Sequence, residues 1–112
     1  MSYLPLDRKP LRTYLAGQEE AMNRYVIERE IPGVGKNTAE GFCQVAKASN
    51  AALDKVGDGI QWQESFVVAD KTFCVYLAEN EDKILEHAKK SGFPATRIHQ
   101  VRAVIDPTTA NG

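Results

Sequence analysis

After residue 23, stretches in which hydrophobic and polar residues alternate are interleaved with stretches of helical period. Residues 24–30, RYVIERE, alternate and contain β-branched and aromatic side chains, which predicts a first strand ended by a Pro-Gly pair. Residues 42–56 repeat small and hydrophobic side chains at helical spacing, which predicts a helix. Asn37 or Thr38 is placed to cap the start of this helix, and Gly57 is placed to end it.

The second half of the chain repeats this order of patterns. Residues 60–68, IQWQESFVV, and residues 72–78, TFCVYLA, predict two strands joined by a short hairpin turn. Asn80 caps a second predicted helix, EDKILEHAKKSG, whose acidic first turn and basic last turn suit the helix dipole. Residues 97–105, RIHQVRAVI, form a predicted fourth strand, and DPTTANG follows as a polar tail.

The order of these elements, β-α-β-β-α-β, is that of the ferredoxin-like fold, an α+β class with a four-stranded antiparallel sheet. Right-handed crossovers place both helices on one face of the sheet and leave the other face open. An open face that carries Trp, Tyr and Phe is a sizeable apolar patch on a monomer. We therefore predict a homodimer through the open sheet face, a dimeric α/β barrel with a pocket between the two sheets.

The chain divides into three segments by pattern. Residues 1–22 contain two prolines and scattered charges, and they lack a sustained strand or helical period. We predict that they are an N-terminal leader, flexible or helical, before a ferredoxin-like domain over residues 23–109. Residues 110–112 are left as a tail.

Composition narrows the classes of partner. Of the 112 residues, 43% are hydrophobic and 26% are charged, and 14 basic against 15 acidic side chains give a net charge of -1. This balance supplies no excess positive field for a nucleic-acid backbone, and no apolar stretch approaches the roughly 20 residues that span a bilayer. We therefore expect no nucleic-acid or membrane partner and a cytoplasmic protein, with Cys43 and Cys74 as free thiols.

Motifs of the common catalytic and metal sites do not occur. The sequence has no Cys-x-x-Cys, no His-x-x-x-His and no Gly-x-Ser-x-Gly, and PGVGK lacks the spacing of a phosphate loop. Chemistry must therefore be sought among residues that the fold brings together.

Strand alternation sorts the polar side chains into rows. If the more apolar row of each strand faces the helices, Glu28, Cys74 and Tyr76 fall together on the open face. A carboxylate, a thiol and a phenol there are suited to bind a metal or to exchange a proton with a substrate. The alternative for Glu28 and Cys74 is a solvated carboxylate and a small buried hydrophobe. The residues predicted to line the pocket are Trp62, Glu64, Phe66 and Tyr76.

His87 and His99 are the only histidines in the chain. His87 follows Ile84 by three positions, so it lies at the buried edge of the second helix, either as a hydrogen-bonded core histidine or as a ligand. His99 shares a row of the fourth strand with Val101 and Ala103, and it faces either the helices or the pocket. The spacing of the two histidines does not separate these alternatives.

Three stretches, YVIEREIPG, KTFCVYLAENED and EHAKKSGFPATRIHQVRAVIDPTT, resemble a small family long labelled a domain of unknown function. Its best-described member is a streptomycete nickel-binding protein. The resemblance covers about residues 23–109, and it implies a ferredoxin-like α/β-barrel dimer that binds nickel, with no established reaction. His87 stands in the family's HA-x-x-x-G-x-P pattern and Cys74 in its F-C-x-Y pattern, so the resemblance points to these two residues.

Three functional hypotheses follow. The first groups His87, Cys74, Glu28 and His99 as ligands for nickel or another divalent transition metal in a dimer. The second is a small dimeric-barrel enzyme, a monooxygenase or isomerase acting on an apolar compound, with Glu28 or His99 as the acid-base group. The third is a module that binds a ligand in the barrel cavity without chemistry.

Overall fold

The computed structural model describes residues 22–112 and contains four strands and two α-helices in the predicted order. The strands are β1 (Asn23–Glu30), β2 (Ile60–Val67), β3 (Lys71–Ala78) and β4 (Arg97–Gln100). The helices are α1 (Ala39–Val56), which joins β1 to β2, and α2 (Glu81–Ser91), which joins β3 to β4. Two short 3₁₀ helices lie at Val34–Lys36 and Pro107–Asn111.

The strands form one sheet in the order β2-β3-β1-β4, and each neighbouring pair is antiparallel. Ser49 of α1 contacts His87 of α2, and the His87 ring lies against Tyr76 of β3, so both helices cover the same face. We call this face the helix side and the other face the open face; no helix of residues 22–112 covers the latter. The predicted α+β fold with ferredoxin-like strand order is confirmed.

Side-chain caps set the starts of both helices. Thr38 Oγ1 accepts a hydrogen bond from the Gly41 N–H at 3.0 Å, and Asn80 Oδ1 accepts one from the Lys83 N–H at 3.2 Å. Gly92 ends α2 with φ at 80°, a left-handed conformation that glycine adopts without steric cost. The predicted boundaries of α1 and α2 are confirmed.

The rows of β1 are placed as predicted, whereas those of β3 are reversed. Ile27 is fully buried on the helix side, and Glu28 lies on the open face. Cys74 lies opposite Ile27, and because cross-strand partners share a face, Cys74 and Tyr76 are also buried on the helix side. The prediction that Cys74 and Tyr76 line the open face is therefore wrong. The more apolar row of β3 lies on the open face instead, with Phe73, Val75 and Leu77.

A β-bulge between Trp62 and Glu64 reverses the alternation within β2. Trp62 lies opposite Tyr76 on the helix side, whereas Phe66 lies opposite Phe73 on the open face. One extra residue in β2 produces this switch. The four residues predicted to line one pocket consequently divide between the faces, with Trp62 and Tyr76 on the helix side and Glu64 and Phe66 on the open face.

β4 is shorter than predicted. Its pairing with β1 ends at Gln100, after which the Val101 N–H donates to the Arg24 carbonyl at 2.8 Å. Because β1 begins at Asn23, the chain beyond Val101 has no strand of residues 22–112 beside it. The prediction of a strand is therefore wrong for residues 101–105.

The predicted leader, residues 1–22, lies outside the described residues except for Met22, and its form stays a prediction. The domain boundary at residue 109 also stays a prediction. Neither α1 nor α2 combines the length and the hydropathy that a bilayer-spanning helix needs.

Candidate functional site

Four charged or ionisable side chains meet on the open face, and we call them the Glu28 cluster: Glu28, Lys71, Arg97 and His99. Glu28 of β1 lies opposite Arg97 of β4, and His99 follows two positions later in the same row. Lys71 begins β3 and reaches Glu28 diagonally from the other neighbouring strand. The side chain of Glu28 is 13% exposed and that of His99 is 55% exposed. The cluster therefore holds one partly buried carboxylate among basic groups that solvent reaches.

The carboxylate of Glu28 divides its two oxygens between different partners. Oε2 accepts a hydrogen bond from Lys71 Nζ at 2.8 Å and lies 3.5 Å from Arg97 Nη1. Oε1 lies 3.4 Å from Nε2 of His99. The Lys71 hydrogen bond is the main cause that lowers the pKa of Glu28, and the contributions of His99 and Arg97 add to it against the effect of desolvation. Glu28 is therefore an anion whose Oε1 lies beside an imidazole nitrogen.

A second group of polar side chains lies on the helix side, and we call it the buried polar cluster: Arg29, Ser49, Tyr76 and His87. Arg29 is 2% exposed, and its Nη1 donates to the carbonyls of Pro94 at 2.7 Å and Phe93 at 3.4 Å. Its Nη2 donates to the Tyr76 hydroxyl at 3.4 Å. No carboxylate of residues 22–112 pairs with Arg29. Carbonyl dipoles after α2 therefore stabilise the buried charge, and these bonds tie the α2–β4 loop to β1.

His87 fills the space between the two helices and the sheet, where it is 1% exposed. Its Nε2 lies 3.3 Å from both the hydroxyl and the carbonyl oxygen of Ser49, and Nδ1 is buried without a hydrogen-bond partner. The rings of His87 and Tyr76 have their centroids 5.3 Å apart. Burial lowers the pKa of His87 and raises the pKa of Tyr76, so both side chains are neutral near neutral pH. Of the two alternatives for His87, its position is that of a core histidine.

The four predicted metal ligands do not converge within one chain. Glu28 and His99 lie on the open face, whereas Cys74 and His87 are buried on the helix side. Among residues 22–112, no three His, Cys, Asp or Glu side chains are grouped so that they hold a metal ion. Cys74 pairs with Ile27, the neighbour of Glu28, so strand alternation places the thiol and the carboxylate on opposite faces, and His87 lies on α2, which covers the helix side. The four residues predicted as ligands are therefore not brought together within one chain, and the role of each in metal binding stays a prediction.

Sequence patterns do not single out three residues of these clusters, Arg29, Lys71 and Arg97. For Arg29 a signal was present but was not used. Arg29 continues the apolar row of Tyr25 and Ile27, and a charged residue in such a row indicates a buried, hydrogen-bonded side chain. Lys71 and Arg97 begin their strands, and they reach Glu28 only through the register of the sheet. No local pattern reveals that register.

The strand order and the two helices on one face define a small α+β protein of the ferredoxin-like class. A family model described as "Nickel responsive protein SCO4226-like" matches residues 25–101, a span that contains both histidines, Glu28 and Cys74. The chain therefore belongs to this family, which confirms the resemblance seen in its sequence.

One solved structure, that of SCO4226 from Streptomyces coelicolor A3(2), is similar to this chain with a TM-score of 0.62 and 14% sequence identity. The similarity covers 73% of this chain and 99% of that chain. At this identity the likeness shows the fold alone. No curated protein matches this chain.

Proposed function

We propose that this chain is a metal-binding protein that responds to nickel and works as a homodimer, with Glu28 and His99 as metal ligands. The observation that carries the proposal is the 3.4 Å separation between Glu28 Oε1 and His99 Nε2 on the open face. The family description suggests the metal, and the exposed imidazole of His99 provides access from solvent.

The donor atoms of this pair fit nickel in kind but not in number. Nickel favours imidazole nitrogen, accepts carboxylate oxygen, and is commonly held in square-planar or tetragonal sites. Glu28 and His99 offer one donor of each kind, because Lys71 and Arg97 occupy the second carboxylate oxygen. One chain therefore offers part of a site, and further ligands must come from solvent or from a second chain.

A second copy of the chain supplies the missing donors, because a two-fold dimer repeats every residue of its interface. If two open faces pack together, the interface contains two Glu28–His99 pairs, which offer two nitrogen and two oxygen donors. In this proposal the metal belongs to the dimer rather than to either chain.

The open face also has the composition of a surface that packs against another protein. Its apolar side chains are Val26, Phe66, Phe73, Val75 and Leu77. Phe66 is 55% exposed, and the Glu28 cluster borders the apolar area with charged groups. An apolar centre with a polar rim is the usual anatomy of an interface, and contiguous apolar patches are uncommon on monomers. These features support a homodimer in which two sheets form an α/β barrel.

Cys74 and His87 are left out of the proposed site because both lie on the helix side. The Cys74 thiol lies 3.4 Å from the Thr72 hydroxyl, and His87 is enclosed by Ser49 and Tyr76. A metal would reach either residue only if the helices separated from the sheet. We expect the two side chains to stabilise the fold.

Nickel titration combined with sedimentation velocity tests the proposal. We expect the wild-type chain to sediment as a dimer and to bind about one nickel ion per dimer, as a shared two-fold site requires. His99→Ala and Glu28→Gln should each weaken nickel binding about tenfold or more, since losing even a partner of a metal ligand has an effect of this size.

Two matched controls keep the result specific. Glu30→Gln changes a carboxylate in the same row of β1, one that contacts Arg97 rather than His99, and His87→Gln changes the other histidine of the chain. Neither substitution should change nickel affinity. Nickel binding that survives His99→Ala and is lost in His87→Gln would move the metal to the helix side and contradict the proposal, as would a wild-type chain that binds nickel only as a monomer.

A further inference from the structure

The chain ends in a segment whose apolar side chains point into solvent, residues 102–112, which we call the C-terminal arm. Val104 is 54% exposed and Ile105 is 77% exposed, the highest value among the large hydrophobic side chains of residues 22–112. Single exposed hydrophobic residues are ordinary, but two in succession at this exposure lose a hydrophobic contribution that burial would provide.

The backbone of the arm makes few hydrogen bonds to the described residues where these side chains lie. After the Val101 N–H bonds to Arg24, the amides of residues 102–105 donate to no backbone carbonyl of residues 22–112. A segment that exposes apolar side chains, and whose amides bond to no backbone carbonyl of residues 22–112, is suited to dock on another chain.

The far end of the arm is ordered by its own hydrogen bonds. The Asp106 carboxylate accepts the Thr108 N–H at 2.9 Å, and the Asp106 N–H donates to the Thr109 hydroxyl at 2.9 Å. This capping box fixes the 3₁₀ helix Pro107–Asn111 directly after Ile105. The two apolar side chains therefore lie between two anchored points, the sheet at Val101 and the cap at Asp106.

The arm leaves the sheet beside the open face. His99 lies opposite Val26, and Val101, two positions later in the same row, is the last residue bonded to β1. The arm is thus continuous with the surface proposed to join two copies. The arm also lies beyond residue 101, where the match to the family model ends.

The size of the open face indicates how the arm would contribute to an interface. Neighbouring strands lie about 4.8 Å apart, and each residue of a strand rises about 3.3 Å. A sheet of four strands with eight residues each therefore has a plan area of about 500 Å². A stable interface buries about 800 Å² on each partner. The plan area of the sheet is smaller than this accessible area, and β4, with only four residues, reduces it further, so a contact outside the sheet would enlarge the interface.

We infer that the C-terminal arm docks on a second copy of this chain, with Val104 and Ile105 buried against the partner subunit. The inference rests on the homodimer of the proposed function and adds a second contact surface to it. The arm of each copy extends the interface beyond the sheet faces, and the capping box at Asp106 holds the two apolar side chains in place for the contact.

Sedimentation velocity over a dilution series of the full chain tests this inference without nickel. Ile105→Asp places a charge in the apolar contact, and a second variant that lacks residues 102–112 removes the contact. Each should raise the dimer dissociation constant about tenfold or more. Val45→Asp is the matched control, since Val45 is 40% exposed on α1, away from the open face, and its replacement should leave association unchanged.

The outcomes separate the inference from the proposal on which it rests. A dimeric wild type with weakened arm variants supports both. If the wild type dimerises and neither arm variant changes the dissociation constant, the arm inference fails and the dimer stands. A wild type that stays monomeric without nickel, and also after nickel is added, overturns both. An Ile105→Asp variant with unchanged association and a lower urea midpoint would place Ile105 against its own chain and overturn the inference.

Discussion

The helix side and the open face of the sheet are built from alternate residues of the same strands, yet they differ in how polar groups are buried and paired. On the helix side, Arg29 and His87 are almost fully buried, and the guanidinium of Arg29 bonds to backbone carbonyls. On the open face, Glu28 is paired with basic groups while apolar Phe66 stays exposed. The comparison teaches that burial follows the hydrogen bonds that a position can make, and not only the hydrophobicity of its row.

The two faces also differ in what covers them among the described residues. The buried polar cluster is enclosed by its own helices. No helix of residues 22–112 covers the apolar row of the open face. Substitutions that act differently on the two faces therefore test the comparison.

The largest expected effect is that of Ile27→Ala, which removes a fully buried side chain on the helix side. We expect the free energy of unfolding to fall by about 2–4 kcal/mol, as for other large-to-small changes in a core. Val75→Ala on the open face should cost about 1 kcal/mol or less in dilute solution. Urea denaturation at two protein concentrations makes the comparison. If the loss of unfolding free energy in Val75→Ala grows with protein concentration, the open face is covered in a dimer, because dimerisation links stability to concentration. If both substitutions lose the same unfolding free energy at high dilution, the two faces are equally packed in the monomer.

A smaller effect is expected from pH through His87. Burial lowers the pKa of His87 below its ordinary value of 6.5, and the unfolded chain therefore binds the proton more readily than the folded chain. The stabilisation is fully present above pH 6.5 and is lost as the pH falls from 6.5 towards the lower folded pKa. The groups that face the ring are Ser49 from α1, Tyr76 from β3 and the cation of Arg29 from β1.

Urea midpoints between pH 7.5 and pH 5 check this pH dependence, with His87→Gln as the comparison. Gln keeps an amide that reaches Ser49 but does not titrate, so the fall in stability below about pH 6.5 should be smaller in the variant. An identical slope in both proteins would show that His87 does not govern the response.

Lys71→Met should have the smallest effect on the free energy of unfolding, but it should change the affinity for nickel. Lys71 makes the shortest ion pair of the Glu28 cluster, but its side chain is 33% exposed, and pairs that solvent reaches contribute little to folding. The urea midpoint should therefore change little. If Glu28 is a metal ligand, nickel should bind more tightly, because Lys71 no longer competes for the carboxylate. Calorimetric titration measures this difference, with Lys83→Met as the control, and weaker nickel binding in Lys71→Met would remove Glu28 from the proposed site.

The fold was predictable because its signals are local. The caps at Thr38 and Asn80, the end at Gly92 and the change between strand and helical periods all lie within a few residues of the features they determine. The ferredoxin-like order followed from these elements and from the handedness of crossovers. The length of β4 was not predictable in this way, since it depends on where β1 begins.

The faces of the sheet were harder to predict because they depend on contacts between residues far apart in the sequence. Arg29 bonds to carbonyls 64 and 65 positions away, and its other terminal nitrogen bonds to the Tyr76 hydroxyl in the less apolar row of β3. The bulge in β2 similarly moves Glu64 and Phe66 to the face opposite Trp62. Family resemblance singled out Cys74 and His87, but neither reaches the open face, and their geometry became visible only in three dimensions.

The bulge between Trp62 and Glu64 also protects an edge of the sheet. β2 and β4 are the two edge strands, and an unbroken edge is a template on which strands of other molecules add to form fibres. The bulge interrupts the hydrogen-bond ladder of β2, and β4 is too short to template a long one. Sideways growth of the sheet is therefore disfavoured at both edges, which lowers the tendency of this protein to form fibres.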